Sequence, residues 1–159
     1  MKHVQSFRAD PKHRGLINKL LKRIDQGDAD TVAALLDCDP VGPFKDAESA
    51  CQALTGRLVA DLGPEQIWLF GSRARGDGER DADFDLLVVL PNEHPAVGDY
   101  MQVASAVVGF GIGCDVVPCS STEFIEGRAG DDSLIGTVKR EGRRLYASPE
   151  IRRDEANRK

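Results

Sequence analysis

The chain has 159 residues, of which 41% are hydrophobic and 30% are charged, and its formal net charge is −5. This length allows one domain with a sizeable core, and the scattered acidic charge argues against a nucleic-acid partner, which would need a basic face. No segment approaches the roughly 18 apolar residues of a membrane span, so a membrane partner is not expected either.

Helical periodicity continues up to Gly63 and Pro64, where a helix would end. Two short amphipathic segments come first, and a longer predicted helix follows them. The apolar face of this longer helix consists of Phe44, Ala47, Cys51, Leu54, Leu58 and Leu62. We therefore predict an N-terminal helical extension over residues 1–63, a second domain over residues 64–147, and a charged flexible tail over residues 148–159.

After Pro64 the pattern changes to short apolar runs that are typical of buried strands. Strands are predicted over residues 66–70, 83–90 and 112–117. Helices are predicted over residues 96–108 and 133–140, and another is expected to begin at Ser120, where Glu123 completes a capping-box pattern. The inward face of the helix over 96–108 is predicted to contain Val97, Met101, Ala104 and Val108. Strands separated by helices indicate an α/β (α+β) fold.

A glycine and a serine, Gly71 and Ser72, follow the first predicted strand. A glycine there would let a ligand approach the backbone, because no Cβ blocks it. Ser72 is expected to cap a short helix beginning at Arg73, and its hydroxyl and the local amides would suit phosphate oxygens. Arg73 and Arg75 add positive charge. An ordinary serine-capped turn has the same pattern, however, and by itself the pair favours that interpretation.

Two aspartates, Asp83 and Asp85, begin the second predicted strand. Period-2 alternation places both on one face, while Phe84 and Leu86 begin a wholly apolar opposite face. Adjacent carboxylates at the start of a buried strand repel each other and lose hydration, and a divalent cation would relieve both penalties. Mg²⁺ binds one or two carboxylates together with substrate phosphate oxygens. A solvated turn before the strand would also explain the pair.

A third carboxylate, Asp115, lies inside the apolar run of the third predicted strand. A charge in such a strand is rare unless it is paired, at an edge or bound to a metal. If this strand pairs beside the one that bears Asp83 and Asp85, the three carboxylates converge. Two metal ions about 3.5–4 Å apart could then hold an attacking and a leaving oxygen, and the third carboxylate could help to deprotonate an incoming hydroxyl.

These three elements, in this order and spacing, resemble the signature of the DNA polymerase beta nucleotidyltransferase superfamily. The run Gly71-Ser72-Arg73-Ala74-Arg75-Gly76-Asp77, followed by Asp83-Phe84-Asp85-Leu86-Leu87-Val88, is similar to its minimal nucleotidyltransferase (MNT) branch, which is antitoxin-like. The resemblance covers roughly residues 66–146. Ala82 stands where this branch often has a serine, which removes a hydroxyl but no metal ligand.

The resemblance implies a small mixed β-sheet flanked by helices, so that residues 64–147 would be the nucleotidyltransferase domain. It implies transfer of a nucleoside monophosphate, with AMP from ATP favoured, to an acceptor hydroxyl. Gly71 and Ser72 would bind the nucleotide phosphates, with Arg73 and Arg75 beside them. The metal-binding and catalytic carboxylates, on two Mg²⁺ ions, would be Asp83, Asp85 and Asp115.

Three acceptor hypotheses remain open from the sequence. MNT-branch proteins resemble antitoxins that add AMP to a tyrosine of a HEPN-type toxin, which makes such a toxin the favoured partner. A small-molecule enzyme that modifies an aminoglycoside-like antibiotic is the second hypothesis. The third is an antitoxin that only binds its partner and has a vestigial site, although three intact carboxylates argue against it.

A cytoplasmic location is expected from two features of the sequence. The first seven residues contain no apolar stretch of the kind that a signal peptide needs. The four cysteines show no paired short spacings, so a structural zinc site is not expected. We predict that they are small buried thiols in a reducing compartment: Cys38, Cys51, Cys114 and Cys119.

Overall fold

One four-stranded sheet lies at the centre of the part of the chain that a computed structural model describes, residues 41–79 and 82–158. Its strands are β1 (Gln66–Phe70), β2 (Phe84–Leu90), β3 (Cys114–Ser120) and β4 (Arg143–Ala147). The helices of this part are α1 (Ala47–Leu62), α2 (Gly71–Arg75), α3 (Tyr100–Ser105), α4 (Ser121–Glu126), α5 (Leu134–Glu141) and α6 (Pro149–Asn157). The predicted helices before residue 41 lie outside the described residues.

The sheet is mixed, with the strand order β3-β2-β1-β4. Strand β1 runs antiparallel to both β2 and β4, whereas β2 and β3 are parallel. A parallel pair needs a crossover connection, which here includes α3. The prediction of a small mixed sheet flanked by helices is therefore confirmed. Strand β4 was not predicted, since Arg143 and Arg144 interrupt the alternation that identifies a strand.

Both faces of the sheet are covered by apolar side chains, as the alternation in β2 predicted. One cluster contains Phe84, Leu86, Val88 and Leu90 together with Ile67 and Leu69 of β1. The opposite cluster contains Leu87 and Val89, packed with Phe124 of α4 and Val138 of α5. Strand β2 is therefore buried on both sides, with Asp85 as its second residue.

Helix α1 packs into the first of these clusters through a face that was largely predicted. Cys51, Leu54, Leu58 and Leu62 are buried with the sheet residues. Asp46 caps the first turn by accepting a hydrogen bond from the Ser49 N–H, and Gly63 ends the helix at φ 55°. This helix therefore shares its core with the strands. The proposed division at residue 63 stays a prediction.

The predicted inward face of the helix over 96–108 is wrong at two positions. Helix α3 covers only Tyr100–Ser105, and Met101 and Val108 are 75% and 79% exposed. Val103 and Val107 are buried instead. Apolar residues occur on more than one side of this segment, so periodicity alone could not identify the side that meets the core.

Several smaller expectations can be compared with the described residues. The capping box of Ser120 and Glu123 is confirmed, since each side chain accepts the other residue's backbone N–H. Cys51 and Cys119 are buried free thiols, as predicted, and Cys114 is a half-buried one, whereas Cys38 lies outside the described residues. The tail contains a helix, α6, that the sequence did not predict. No helix among the described residues is long and apolar enough to cross a membrane.

Candidate active site

A tight turn joins β1 to α2 at Gly71. The backbone there has φ 71°, a left-handed conformation that side chains disfavour. A Cβ at this position would also collide with the carboxylate of Asp85, whose residue is opposite Phe70 in the antiparallel register. Gly71 is therefore required for two reasons, and it brings the backbone of the turn directly against an acidic side chain.

Parallel pairing of β2 and β3 places two of the predicted carboxylates side by side. Asp85 and Asp115 are register partners in the ladder, so their side chains project from the same face of the sheet. Asp83 directly precedes β2, and its negative charge acts on Asp85. Its carboxylate is so close to Gly113 that a Cβ there would collide with it. The expected pairing of β2 and β3 is therefore observed and brings Asp85 beside Asp115, whereas convergence of all three carboxylates stays a prediction.

The electrostatics of Asp85 reflect this arrangement. Burial raises the pKa of its carboxyl, and the negative charges of Asp115 and Asp83 raise it further. Arg75 opposes them by lowering the same pKa. Burial and two neighbouring carboxylates thus disfavour the charged form of Asp85, which is the form that would bind a cation.

The donor set suits Mg²⁺, although these side chains do not by themselves form a closed metal site. Carboxylate oxygens are the ligands that Mg²⁺ prefers, and one or two of them suffice when substrate phosphates complete the coordination. Within the described residues, no three His, Cys, Asp or Glu side chains stand together as a ready-made metal cluster. A metal site on Asp83 and Asp85 that substrate oxygens complete therefore fits the structure, and the three-ligand version stays a prediction.

Ser72 organises the loop after Gly71 through its backbone carbonyl. That oxygen accepts hydrogen bonds from the N–H groups of Gly76, Asp77 and Gly78, at 3.0, 3.2 and 3.1 Å. The prediction that Ser72 caps the helix is wrong, because α2 begins at Gly71, two residues before the predicted start, and its N-cap is Phe70. The first N–H groups of a helix have no partner within that helix, so the amides at Gly71 and Ser72 are candidate donors to phosphate oxygens.

The two arginines of the loop have different surroundings. The Arg73 guanidinium lies over the Phe84 ring at 4.1 Å, and its Nε donates to the carbonyl of Ala82 at 2.6 Å. Arg75 is exposed and contacts Asp77 at 3.1 Å and Glu141 at 3.5 Å. Arg73 therefore joins the loop to the start of β2, whereas Arg75 adds positive charge near Asp85.

A cavity of about 150 Å³ lies on the Arg73 side of this loop, lined also by Glu48, Cys51, Phe84 and Arg143. None of the three carboxylates lines it. The cavity is therefore not lined by the carboxylates of the predicted site.

One residue near the carboxylates was missed by the sequence analysis. The Tyr100 hydroxyl donates a hydrogen bond to Asp115 Oδ1 at 3.2 Å. The negative charge of Asp115 raises the pKa of this phenol, so Tyr100 keeps its proton at neutral pH. Nothing local in the sequence indicates the contact, because Tyr100 and Asp115 are brought together only when α3 packs beside β3.

The chain matches the sequence profile of a known family. The family described as "Nucleotidyltransferase domain" matches residues 52–145, more than half of the chain, and this stretch contains every residue of the predicted site. No curated protein sequence matched significantly.

Three solved structures align with part of the chain. A toxin–antitoxin complex with AMP-PNP has a TM-score of 0.44 and 19% identity, covering 63% of this chain and 76% of that one. A protein assigned as a nucleotidyltransferase from Sulfolobus solfataricus has a TM-score of 0.43 and 21% identity, covering 62% and 81%. A mutant of the toxin–antitoxin MntA–HpeT has a TM-score of 0.44 and 17% identity, covering 63% of this chain and 76% of that one. At these values the likeness does not establish a shared function.

Proposed function

The chain belongs to the nucleotidyltransferase domain family, and we propose that it is a metal-dependent enzyme transferring a nucleoside monophosphate from a nucleoside triphosphate to an acceptor hydroxyl. One observation supports this most directly. Asp85 and Asp115 are partners across the parallel strands β2 and β3, and the Gly71 turn lies against the Asp85 carboxylate. The proposed metal ligand Asp85 is therefore adjacent both to Asp115 and to the turn proposed to bind phosphate.

In this proposal, the backbone N–H groups at Gly71 and Ser72 bind the triphosphate, and Arg75 supplies positive charge. Asp83 and Asp85, with help from Asp115, hold Mg²⁺. When bound, Mg²⁺ would neutralise the charge that develops on the phosphate oxygens. Arg73 is assigned to holding the loop rather than to the nucleotide, because Phe84 and the Ala82 carbonyl already contact its guanidinium.

The reaction itself needs little covalent chemistry from the protein. The acceptor oxygen attacks the α-phosphorus, the bond from that phosphorus to the oxygen bridging to the β-phosphate breaks, and pyrophosphate leaves. The proton of the acceptor hydroxyl passes to Asp115, which lies exposed beside Asp85. Positioning the two reactants and neutralising charge account for most of the catalysis in such a transfer.

For the acceptor, we propose a tyrosine of a HEPN-type toxin that receives AMP from ATP, which would make this chain an antitoxin. The support is the similarity of the Gly71–Asp77 and Asp83–Val88 runs to the MNT branch. The experiment incubates the chain and its co-expressed partner with Mg²⁺ and ATP labelled in the α-phosphate, followed by mass spectrometry of both proteins.

We expect AMP on a partner tyrosine with the native chain and none with Asp85→Asn. Asp61→Asn is the matched control, since Asp61 lies on α1 in an exposed pair with Arg57, and it should behave as the native chain does. If the partner is silenced equally by the native chain and by Asp85→Asn, the chain acts by binding alone. If an aminoglycoside is added to the same incubation and is labelled while the partner is not, the chain is a small-molecule enzyme instead.

A further inference from the structure

A hydroxyl of the chain itself already lies where the proposed reaction needs one. Tyr100 is the first residue of α3, and its hydroxyl donates to Asp115 Oδ1 at 3.2 Å. The side chain is 44% exposed, so the oxygen faces the solvent from which a nucleotide would arrive. The contact is thus at the open face of the carboxylate group and not within the core.

The position of Tyr100 is set by the packing of α3. Asp99 caps the helix by accepting the Gln102 N–H at 3.0 Å, and Val103 is fully buried one turn later. Val103 shares its core with Val116, the residue after Asp115. The first residue of the helix is therefore held beside β3, which makes its contact with Asp115 a consequence of the fold.

This geometry matches that of an attacking hydroxyl. A general base must lie within about 2.6–3.2 Å of the oxygen whose proton it takes, and Tyr100 and Asp115 meet that requirement without any partner protein. Because both groups belong to one chain, the reaction would be intramolecular. It would benefit from the high effective concentration that such placement provides.

We propose that Tyr100 is a self-nucleotidylation site, a proposal that rests on the function proposed above. The phenolic oxygen attacks the α-phosphorus of the bound nucleoside triphosphate, the α–β phosphoanhydride bond breaks, and pyrophosphate leaves. The phenolic proton passes to Asp115, and the product is a phosphodiester between Tyr100 and the nucleoside. Because Tyr100 is a single residue, this reaction attaches one nucleotide to each chain.

The chain offers a matched control, because it contains only two tyrosines. Tyr146 lies in β4, where it is half-buried and packs against the core cluster that contains α1. Strand β4 is at the edge of the sheet opposite β3, with β1 and β2 between them. Tyr146 is therefore a tyrosine of the same protein that the carboxylates do not contact.

The experiment incubates the full-length purified chain, without any partner, with Mg²⁺ and each common nucleoside triphosphate labelled in the α-phosphate. Intact-mass measurement counts the adducts, and peptide mapping locates them. The native chain is compared with Tyr100→Phe, Tyr146→Phe and Asp85→Asn. Separately, calorimetry with the α,β-methylene analogue of ATP measures nucleotide binding, since that analogue cannot transfer its nucleotide.

We expect one adduct on Tyr100 in the native chain and in Tyr146→Phe, at a rate per molecule that does not change on dilution. The adduct should be absent from Tyr100→Phe and Asp85→Asn. An unlabelled native chain that nevertheless binds the analogue overturns the inference and leaves the proposed function standing, with Tyr100 only orienting Asp115. Label on another residue also overturns it. A native chain that neither binds the analogue nor modifies any acceptor contradicts both proposals.

Discussion

Replacing Gly71 by alanine should damage the protein through two effects that a second variant can separate. The first is the backbone, because φ is 71° at Gly71 and a side chain in that left-handed region costs about 1–2 kcal/mol. The second is the collision of the new Cβ with the Asp85 carboxylate. Gly76→Ala isolates the first effect, because φ at Gly76 is 79° and a Cβ added there would have no atom within 4 Å.

The magnitudes follow from these two terms. Gly76→Ala should lower the free energy of unfolding by about 1–2 kcal/mol, the backbone cost alone. Gly71→Ala should lose about 1.5–3.5 kcal/mol, because Asp85 must also leave its preferred rotamer at a cost of about 0.5–1.5 kcal/mol. Displacement of Asp85 should further weaken Mg²⁺-dependent ATP binding by about tenfold, which corresponds to roughly 1.4 kcal/mol.

Urea unfolding measures the stability of the native chain and both variants, and calorimetry with the α,β-methylene analogue of ATP and Mg²⁺ measures binding. Gly76→Ala should bind the nucleotide as the native chain does after correction for any unfolded fraction. If Gly71→Ala and Gly76→Ala lose the same stability and bind alike, the contact between Gly71 and Asp85 has no role and the proposed site is wrong.

Four further predictions concern the core, the charges and the thiols. Asp85→Asn should raise the melting temperature in EDTA while abolishing transfer, because it removes a partly buried charge from beside Asp115 and Asp83; a lower melting temperature would contradict this. Leu58→Ala should cost about 2–5 kcal/mol in urea unfolding, since Leu58 is fully buried. Hydrogen bonds from the backbone N–H and the hydroxyl of Ser120 lower the pKa of Glu123 in the folded chain. The charged Glu123 therefore stabilises the fold at pH values above its ordinary pKa of 4.5. This stabilisation is lost as the pH falls through the lower pKa of the folded state. The stability difference between the native chain and Glu123→Gln should therefore shrink in acid-range melting curves. Burial raises the pKa of Cys119 to about 12, so peptide-mapped alkylation should label it far more slowly in the folded than in the unfolded chain.

The site was predictable to the extent that it depends on local pattern. The two faces of β2 follow from period-2 alternation, and so does the placement of Asp85 on the same side as Leu87. The capping box at Ser120 and the glycine end of α1 at Gly63 are also local signals, since each is complete within a few residues. The family resemblance used the same local runs, and the profile match confirms it at the level of the nucleotidyltransferase domain family.

Contacts between distant segments could not be obtained in this way. Periodicity indicates which side of an element is apolar, but not which element covers it, and for this reason Met101 and Val108 were placed inward when they are exposed. The position of Arg73 over the Phe84 ring depends on how the loop between α2 and β2 folds. The spacing of residues in the sequence does not predict this contact. Strand β4 is recognised only by its pairing with β1, because its own sequence does not alternate.

Local patterns in the sequence thus identified the strands β1 and β2 and the order of the three candidate carboxylates along the chain. The parallel pairing of β2 and β3 with Asp85 opposite Asp115, and the contact of the Tyr100 hydroxyl with Asp115, are seen in the folded chain alone. The reason is physical. Strand register and helix packing are chosen by the burial of whole faces against distant partners, and that choice is a property of the assembled core rather than of any short segment.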